Sequence, residues 1–402
     1  MSPVYPEFKG KRALITGGTA ALSCGPIRQP SAKIPPAKAL VGFSRYGAPS
    51  MKILQFNGPW QFSVEEASTP LFGPEEVLIR SDAVGICGSD VHGFTGESGR
   101  RKPGMVMGHE AAGTVVKAGA NVVSLRPGDR VAVYPTLGCG ICRHCLAGTE
   151  HICPDKRVLG VNAGRWGAMA EFFTCHQRQA FRLDPGIDPA IGLFAEPLAV
   201  AVHAVNLMNP AKSAILAIVG AGTIGLALVL VLQDLGFESI FVMDFIEEKL
   251  ELGRTFGAKT IHADRDQPTQ VIARETGGRR ANCVFEAVGI AATVRTAYDL
   301  CDSGGTVVLI GNLAKEFTLP LQGVTSNETT LRGSYGFNRI EFEKAVHLAS
   351  KKKDLLRHFI SGSCSLEETP GVMERMARGE LKALKIVIRG RGEHVAAPDC
   401  RL

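Results

Sequence analysis

From Met51 onward the chain alternates short apolar runs with turn signals. "MKILQFNG", "EEVLIRSDAVGIC", "AAGTVVKAG" and "GDRVAVYP" carry residues that suit a pleated strand and are bounded by Gly, Asp or Pro. This pattern predicts an all-β zone reaching to about residue 185. "DPAIGLFAEPLAVAVHAVNLM" then changes to helical apolar spacing and leads into strands that alternate with helices. "SAILAIV", "SIFVMD", "ANCVFEAVG" and "GTVVLIG" are apolar without alternation, as parallel strands covered on both faces must be. From about residue 336 an amphipathic helix, "RIEFEKAVHLASKK", precedes a closing strand, "LKIVIRG". The order implies an α/β fold with a β-rich part, and no internal repeat interrupts it.

The 402 residues exceed what one hydrophobic core organises, so more than one domain is expected. Hydrophobic residues at 45% and charged residues at 21% exclude a disordered chain. The formal charge of +6 changes little once it is located. Lys9, Lys11, Arg12, Arg28, Lys33, Lys38 and Arg45 face a single acid, Glu7, within residues 1–50, and the rest of the chain is neutral. A basic face for nucleic acid is therefore not expected. Nor is a membrane span: "AILAIVGAGTIGLALVLVL" comes nearest, and glycines interrupt it. Eleven cysteines, four clustered and the others single, point to a reducing, cytoplasmic setting.

Residues 1–50 begin like a nucleotide-binding strand and turn, "FKGKRALITGGTAALSCG". Ala20, Ala21 and Leu22 then stand where further glycines are needed, and Pro26, Pro30, Pro35 and Pro36 replace a helix. The segment reads as a disordered extension, or as chain preceding a start at Met51, and as dispensable for activity.

"LAIVGAGTIGLALVL" holds Gly220, Gly222 and Gly225 as G-x-G-x-x-G between an apolar strand and a helical run. The first glycine permits the turn, the second admits a pyrophosphate and the third lets helix pack on strand. Thr223 and Ile224 start that helix, whose N-terminus favours an anion. The next strand ends in Asp244, where an acid would bind the adenosine ribose, and its charge favours NAD over NADP. Lys249 and Arg254 on the following helix would either offset that charge or stay solvated.

"GCGICRHCLAGTEHIC" spaces Cys139, Cys142, Cys145 and Cys153 as C-x2-C-x2-C-x7-C. Four thiolates suit a closed tetrahedral zinc site that staples a loop too short for its own core. On spacing alone an iron–sulfur cluster is the rival, and Pro154 after Cys153 keeps it open.

"GICGSDVHG" supplies Cys87, Ser89, Asp90 and His92, and "VMGHEAAG" supplies His109 and Glu110. Each is a weak signal alone. In order with "GDRV", the four-cysteine loop, "EP" and the fingerprint, they make residues 51–390 resemble the zinc-dependent medium-chain alcohol and polyol dehydrogenases. The resemblance implies a GroES-like catalytic domain over 51–198 and 336–402, with a structural zinc lobe at 138–154. It also implies a Rossmann domain over 199–335. Cys87 and His109 would ligate a catalytic zinc, and Asp90 would orient His109 or simply cap a turn.

Liver-type enzymes place a cysteine where this chain has Glu196 in "FAEPLAV", so the chain resembles the sorbitol, threonine and butanediol branch instead. There Glu110 or Glu196 completes the site, and both are kept. Ser89 and His92 occupy the places of the family's proton relay. The expected reaction is hydride transfer from a small secondary alcohol to NAD, in a homo-dimer or tetramer. The competing reading is a zinc- and NAD-binding protein of the same fold without catalysis. Arg100, Arg101 and Lys102 in "GESGRRKPG" would either attract an anionic substrate or form a solvated basic loop.

Overall fold

The structure is a computed structural model that describes residues 50–162 and 167–390. The extension expected at residues 1–49 and the end of the expected catalytic domain, 391–402, lie outside the described residues.

The unalternating apolar runs form a six-stranded, wholly parallel sheet. Across it the strands run Lys259–His262, Ile240–Asp244, Leu216–Val219, Ala281–Glu286, Cys301–Leu309 and Thr330–Gly333. Counted along the chain this is 3-2-1-4-5-6, the doubly wound order, whose direction reverses between Leu216–Val219 and Ala281–Glu286. The two-sided burial is explicit. Ile218, Val242, Phe285 and Val308 enter one core with helices Ala195–Met208 and Thr223–Asp234, while Ala217, Phe241, Val284 and Val307 enter another with Ile272 and Ala297. The two outer strands escape a sequence reading. Thr330–Gly333 is exposed throughout, and an edge strand has no need of a continuous apolar run.

The β-rich part is built on a seven-stranded sheet. Its path is Ala180–Arg182, Arg130–Val133, Glu110–Ala118, Glu76–Gly85, Lys385–Arg389 and Ile360–Cys364, with Phe172–His176 also paired to Glu76–Gly85. The closing strand "LKIVIRG" thus returns to lie antiparallel to Glu76–Gly85, with Val387 opposite Gly85. The zone is not all-β as expected. A helix, Gly88–Phe94, follows directly on the "GIC" strand end, and a single turn, Arg143–Leu146, lies among the four cysteines. Neither is long enough to show a helical period.

The apolar helical run divides into Pro189–Gly192 and Ala195–Met208. Asp188 caps the first by accepting from the Ala190 N–H at 2.8 Å, and Pro189 fits the first helical position. By length and composition Pro189–Met208 could cross a membrane, yet 78% of its apolar window is buried inside the protein. It is the central core helix of this fold.

Candidate active site

Cys87, His109 and Glu110 come together because two antiparallel strands end side by side. Gly85, at the end of its strand, stands opposite Glu110, which opens the next. Any Cβ at Gly85 would lie 2.3 Å from Glu110 Oε2, so only glycine admits the carboxylate. One ligand atom from each of Cys87, His109 and Glu110 lies within 4.8 Å of the others. A thiol, an imidazole and a carboxylate are a donor set that suits zinc. Glu110 Oε2 is buried with no aligned hydrogen bond among the described residues, although the Lys385 ammonium stands 2.6 Å away, and the His109 imidazole turns Nε2 toward Ser89 Oγ at 3.5 Å. The trio therefore fits a divalent metal. Glu196, in the first turn of Ala195–Met208, is buried close by but stands outside this trio.

Behind the trio lies a buried layer of charge. Asp90 is fully buried and meets His109 Nδ1 at 3.4 Å, Arg101 Nη2 at 3.0 Å and the Cys87 N–H at 3.3 Å. It sits against the imidazole and accepts from the N–H at the cap of its own helix, the positions that both readings of Asp90 need. Burial opposes the Asp90 charge, but His109 and Arg101 outweigh it and hold the carboxyl at about 2. Burial likewise opposes a charged His109, and the Asp90 carboxylate overrides it, raising the imidazole well above its ordinary value. Burial pushes Glu196 up to about 7, with Glu110 adding repulsion and His109 partly opposing.

Arg101 is not the solvated loop residue expected from "GRRKPG": its side chain is buried against Asp90, while Arg100 and Lys102 are exposed. Lys385 was not foreseen at all. Its Nζ donates to Glu110 Oε1 at 2.8 Å and to the Ile86 carbonyl at 3.1 Å, and lies 2.6 Å from Glu110 Oε2. Burial opposes its charge, but Glu110 and Cys87 raise its pKa above the ordinary lysine value. Its sequence signal was a lysine set directly before the apolar run "IVI".

Ser89 and His92 share the helix Gly88–Phe94. His92 Nδ1 pairs with Glu97 Oε2 at 2.8 Å, and Glu97 is exposed to solvent.

At the fingerprint, Gly220 takes φ +100°, and a Cβ on Gly225 would lie 1.8 Å from the Gly220 carbonyl oxygen. Helix Thr223–Asp234 can start there only with glycine at both positions. Thr223 uses its hydroxyl on the Leu384 carbonyl at 2.7 Å, which ties the fingerprint helix to the segment that presents Lys385. Ile224 packs against the core beneath it. Asp244 is buried, and its carboxylate accepts from the Ala221, Phe245 and Ile246 N–H groups at 2.9, 2.9 and 3.1 Å. Lys249 Nζ stands 3.9 Å from it. Arg254 instead turns to Glu247, Glu251 and Thr260.

Cys139, Cys142, Cys145 and Cys153 also place their sulfurs within 4.8 Å of one another, and none forms a disulfide. The Cys139 and Cys145 sulfurs are 3.9 Å apart, nearly twice an S–S bond. The backbone N–H of Cys145 pulls the Cys142 thiol down to about 7, while burial pushes Cys145 up to about 12. Such thiols are spaced to share one ion. Strands Thr136–Leu137 and Arg157–Val158 close the base of the loop.

Cys87, His109, Glu110, Glu196, Gly222 and Val288 open into one cleft of about 1030 Å³. Metal donors and dinucleotide turn therefore face the same space, at the switch point of the parallel sheet.

Comparison with known proteins agrees with this arrangement. Residues 73–185 match the alcohol dehydrogenase GroES-like domain, and residues 223–351 match the zinc-binding dehydrogenase domain. The chain is 36% identical over 272 residues to the uncharacterized zinc-type alcohol dehydrogenase-like protein YdjJ of Escherichia coli K12, across 66% of this chain and 77% of that one. It is 30% identical over 344 residues to D-xylulose reductase of Saccharomyces cerevisiae, across 83% of this chain and 96% of that one. Among solved structures, alcohol dehydrogenase TADH from Thermus sp. ATN1 has a TM-score of 0.77 at 30% identity, covering 85% of this chain and 100% of that one.

Proposed function

Because the chain belongs to the zinc-dependent medium-chain alcohol and polyol dehydrogenase family, we propose that it oxidises a secondary alcohol to a ketone with NAD. The substrate class is a polyol, diol, sugar alcohol or threonine-like compound, in keeping with the xylulose-reducing relative. The observation that carries this reading is the single cleft into which both the Cys87–His109–Glu110 trio and the Gly222 turn open.

Cys87, His109 and Glu110 would hold the catalytic zinc, and the four lobe cysteines a structural one. Between Glu110 and Glu196, Glu110 is the better ligand because it alone joins the trio. When bound, zinc lowers the pKa of a hydroxyl and NAD accepts a hydride. The protein's part is placement and charge. Asp90 fixes the His109 ring, and Lys385 aims Glu110 and balances its charge. Ser89 would accept the hydroxyl proton while releasing its own toward His92, which would pass it to water, with Glu97 orienting the His92 imidazole at the solvent side. Asp244 would accept from the adenosine ribose. Its charge, with Arg254 committed to Glu247 and Glu251, supports NAD over NADP.

A homo-oligomer is part of the same reading. The exposed edge strand Thr330–Gly333 carries Leu331, and helix Leu321–Ser326 before it exposes Leu321, so a second copy has an open strand edge with two exposed leucines beside it to meet. No nucleic-acid or membrane partner is proposed.

The test is NADH formation by purified protein against xylitol, sorbitol, 2,3-butanediol and threonine, with metal content measured and a chelated control. Chelator-sensitive turnover with two zinc ions per chain is expected. Silence across the panel, with both zinc ions and NAD bound, would favour the non-catalytic reading.

A further inference from the structure

The cleft contains a group that neither the metal trio nor the fingerprint uses. His151, in the short helical turn Glu150–Ile152 of the cysteine lobe, lines it and is only 5% exposed. Among the described residues its Nδ1 is buried and has no hydrogen-bond partner, which leaves Nε2 as the ring nitrogen to meet the cleft. The ring stands edge-on to His203, centroids 4.7 Å apart at 70°, and His203 Nδ1 bonds Glu341 Oε2 at 2.9 Å. Glu341 is fixed in turn by Asn206 Nδ2 and the Asn338 N–H, each at 2.9 Å. His203 and Glu341 are buried too, so His151 has a rigid polar support behind it.

Pro135, Thr136, Val158, Val161, Tyr335 and Phe337 line the same cleft, and Gly336, 3.6 Å from His151 by its would-be Cβ, contributes no side chain. A buried imidazole on such a wall is costly to leave without a partner, and a neutral ring offers one donor and one acceptor. The lobe also fixes where the ring sits. Glu150 Oε1 accepts from the Tyr134 hydroxyl at 3.1 Å and from the Arg339 N–H at 3.0 Å, which pins the turn to the segment that carries Phe337 and Glu341.

We propose that His151 is a specificity-determining residue: its imidazole hydrogen-bonds a substrate hydroxyl on a carbon other than the one oxidised, selecting polyhydroxylated alcohols over simple ones. His203 and Glu341 are positioning residues that hold its ring. The proposal rests on the alcohol-dehydrogenase reading above and narrows its substrate class.

The test compares the zinc-loaded wild type with His151→Leu and His151→Gln, on xylitol and on 2-butanol, which has no second hydroxyl. In His151→Leu, kcat/KM for xylitol should fall roughly 10- to 100-fold while that for 2-butanol stays within about threefold, with part of the xylitol loss restored in His151→Gln. Calorimetric binding of xylitol to the NADH-loaded enzyme should weaken in parallel, with zinc content and NADH affinity unchanged. Equal losses on both alcohols, or unchanged xylitol binding in both variants, would overturn the assignment. Where the wild type turns over neither alcohol, calorimetric xylitol binding alone decides the assignment: binding lost in His151→Leu supports it, and binding unchanged overturns it, separately from the enzymatic reading.

Discussion

Replacing Asp244 with Asn should move the enzyme's cofactor preference from NAD toward NADP. The carboxylate has about four acceptor positions, and three are occupied by the N–H groups of Ala221, Phe245 and Ile246. What remains suffices for a ribose hydroxyl and leaves a full negative charge beside the 2′ position. A 2′-phosphate brings about −1.5 to −2 charges of its own. At roughly 5 Å and an effective dielectric near 20, each pair of unit charges repels by about 3 kcal/mol. Solvent screening and Lys249, 3.9 Å from Asp244, offset part of this, which leaves about 2–4 kcal/mol against NADP. That corresponds to a preference for NAD of roughly 30- to 1000-fold.

Asn keeps the oxygen that serves Phe245 and Ile246 and removes the charge, at the cost of the acceptor used by Ala221. Ala would leave all three N–H groups without a side-chain acceptor and confound the result with destabilisation. In Asp244→Asn, kcat/KM for NADP should rise about 10- to 100-fold, and that for NAD should fall about tenfold as the ribose contact weakens. Steady-state assays with both cofactors, alongside a melting curve, read this directly. A wild type that uses the two cofactors equally, or a variant whose preference stays within threefold of wild type, would refute the electrostatic assignment.

Two further outcomes follow from buried pairs. Lys385→Met leaves the Glu110 carboxylate buried without its partner, and urea unfolding of zinc-stripped protein should show a loss of about 3–5 kcal/mol; Lys385→Arg should lose less. Glu341 tests the sign of a pH effect. Burial opposes its ionisation, yet His203, Asn206 and the Asn338 N–H hold its pKa below 4.5, so its stabilisation is present above pH 4.5 and is lost as pH falls through the lowered value. The melting-temperature gap between wild type and Glu341→Gln should therefore be full at pH 6 and shrink below about pH 4.5; a gap that widens on acidification would contradict it.

The parallel sheet was legible because burial on both faces forces apolar runs such as "SIFVMD", and the fingerprint because its glycines answer steric demands within one turn. Thr330–Gly333 was not legible, since an edge strand is held by backbone pairing that leaves no mark on side chains. Helix Gly88–Phe94 hid for a different reason: seven residues give too few turns for a period, although its capping residue, Asp90, was singled out for its chemistry.

The candidate site divides along a similar line. Cys87 and His109 each sit beside one of two adjacent strand ends, so two short motifs, "GICGSDVHG" and "VMGHEAAG", carry them. A neutralising charge obeys no such limit: it need only arrive at the right place, and the chain is free to supply it from anywhere. Lys385 reaches Glu110 across 275 residues, and Glu341 reaches His203 across 138. In sequence each is an ordinary lysine or glutamate. Their burial is the signal, and burial is a property of the assembled fold rather than of any local pattern. Where a site is surrounded by such distant charges, a motif search finds the candidate ligands but not the charges packed against them. Lys385, strapped through Leu384 to Thr223 at the cofactor turn, then links metal site and dinucleotide site by a contact that neither motif contains.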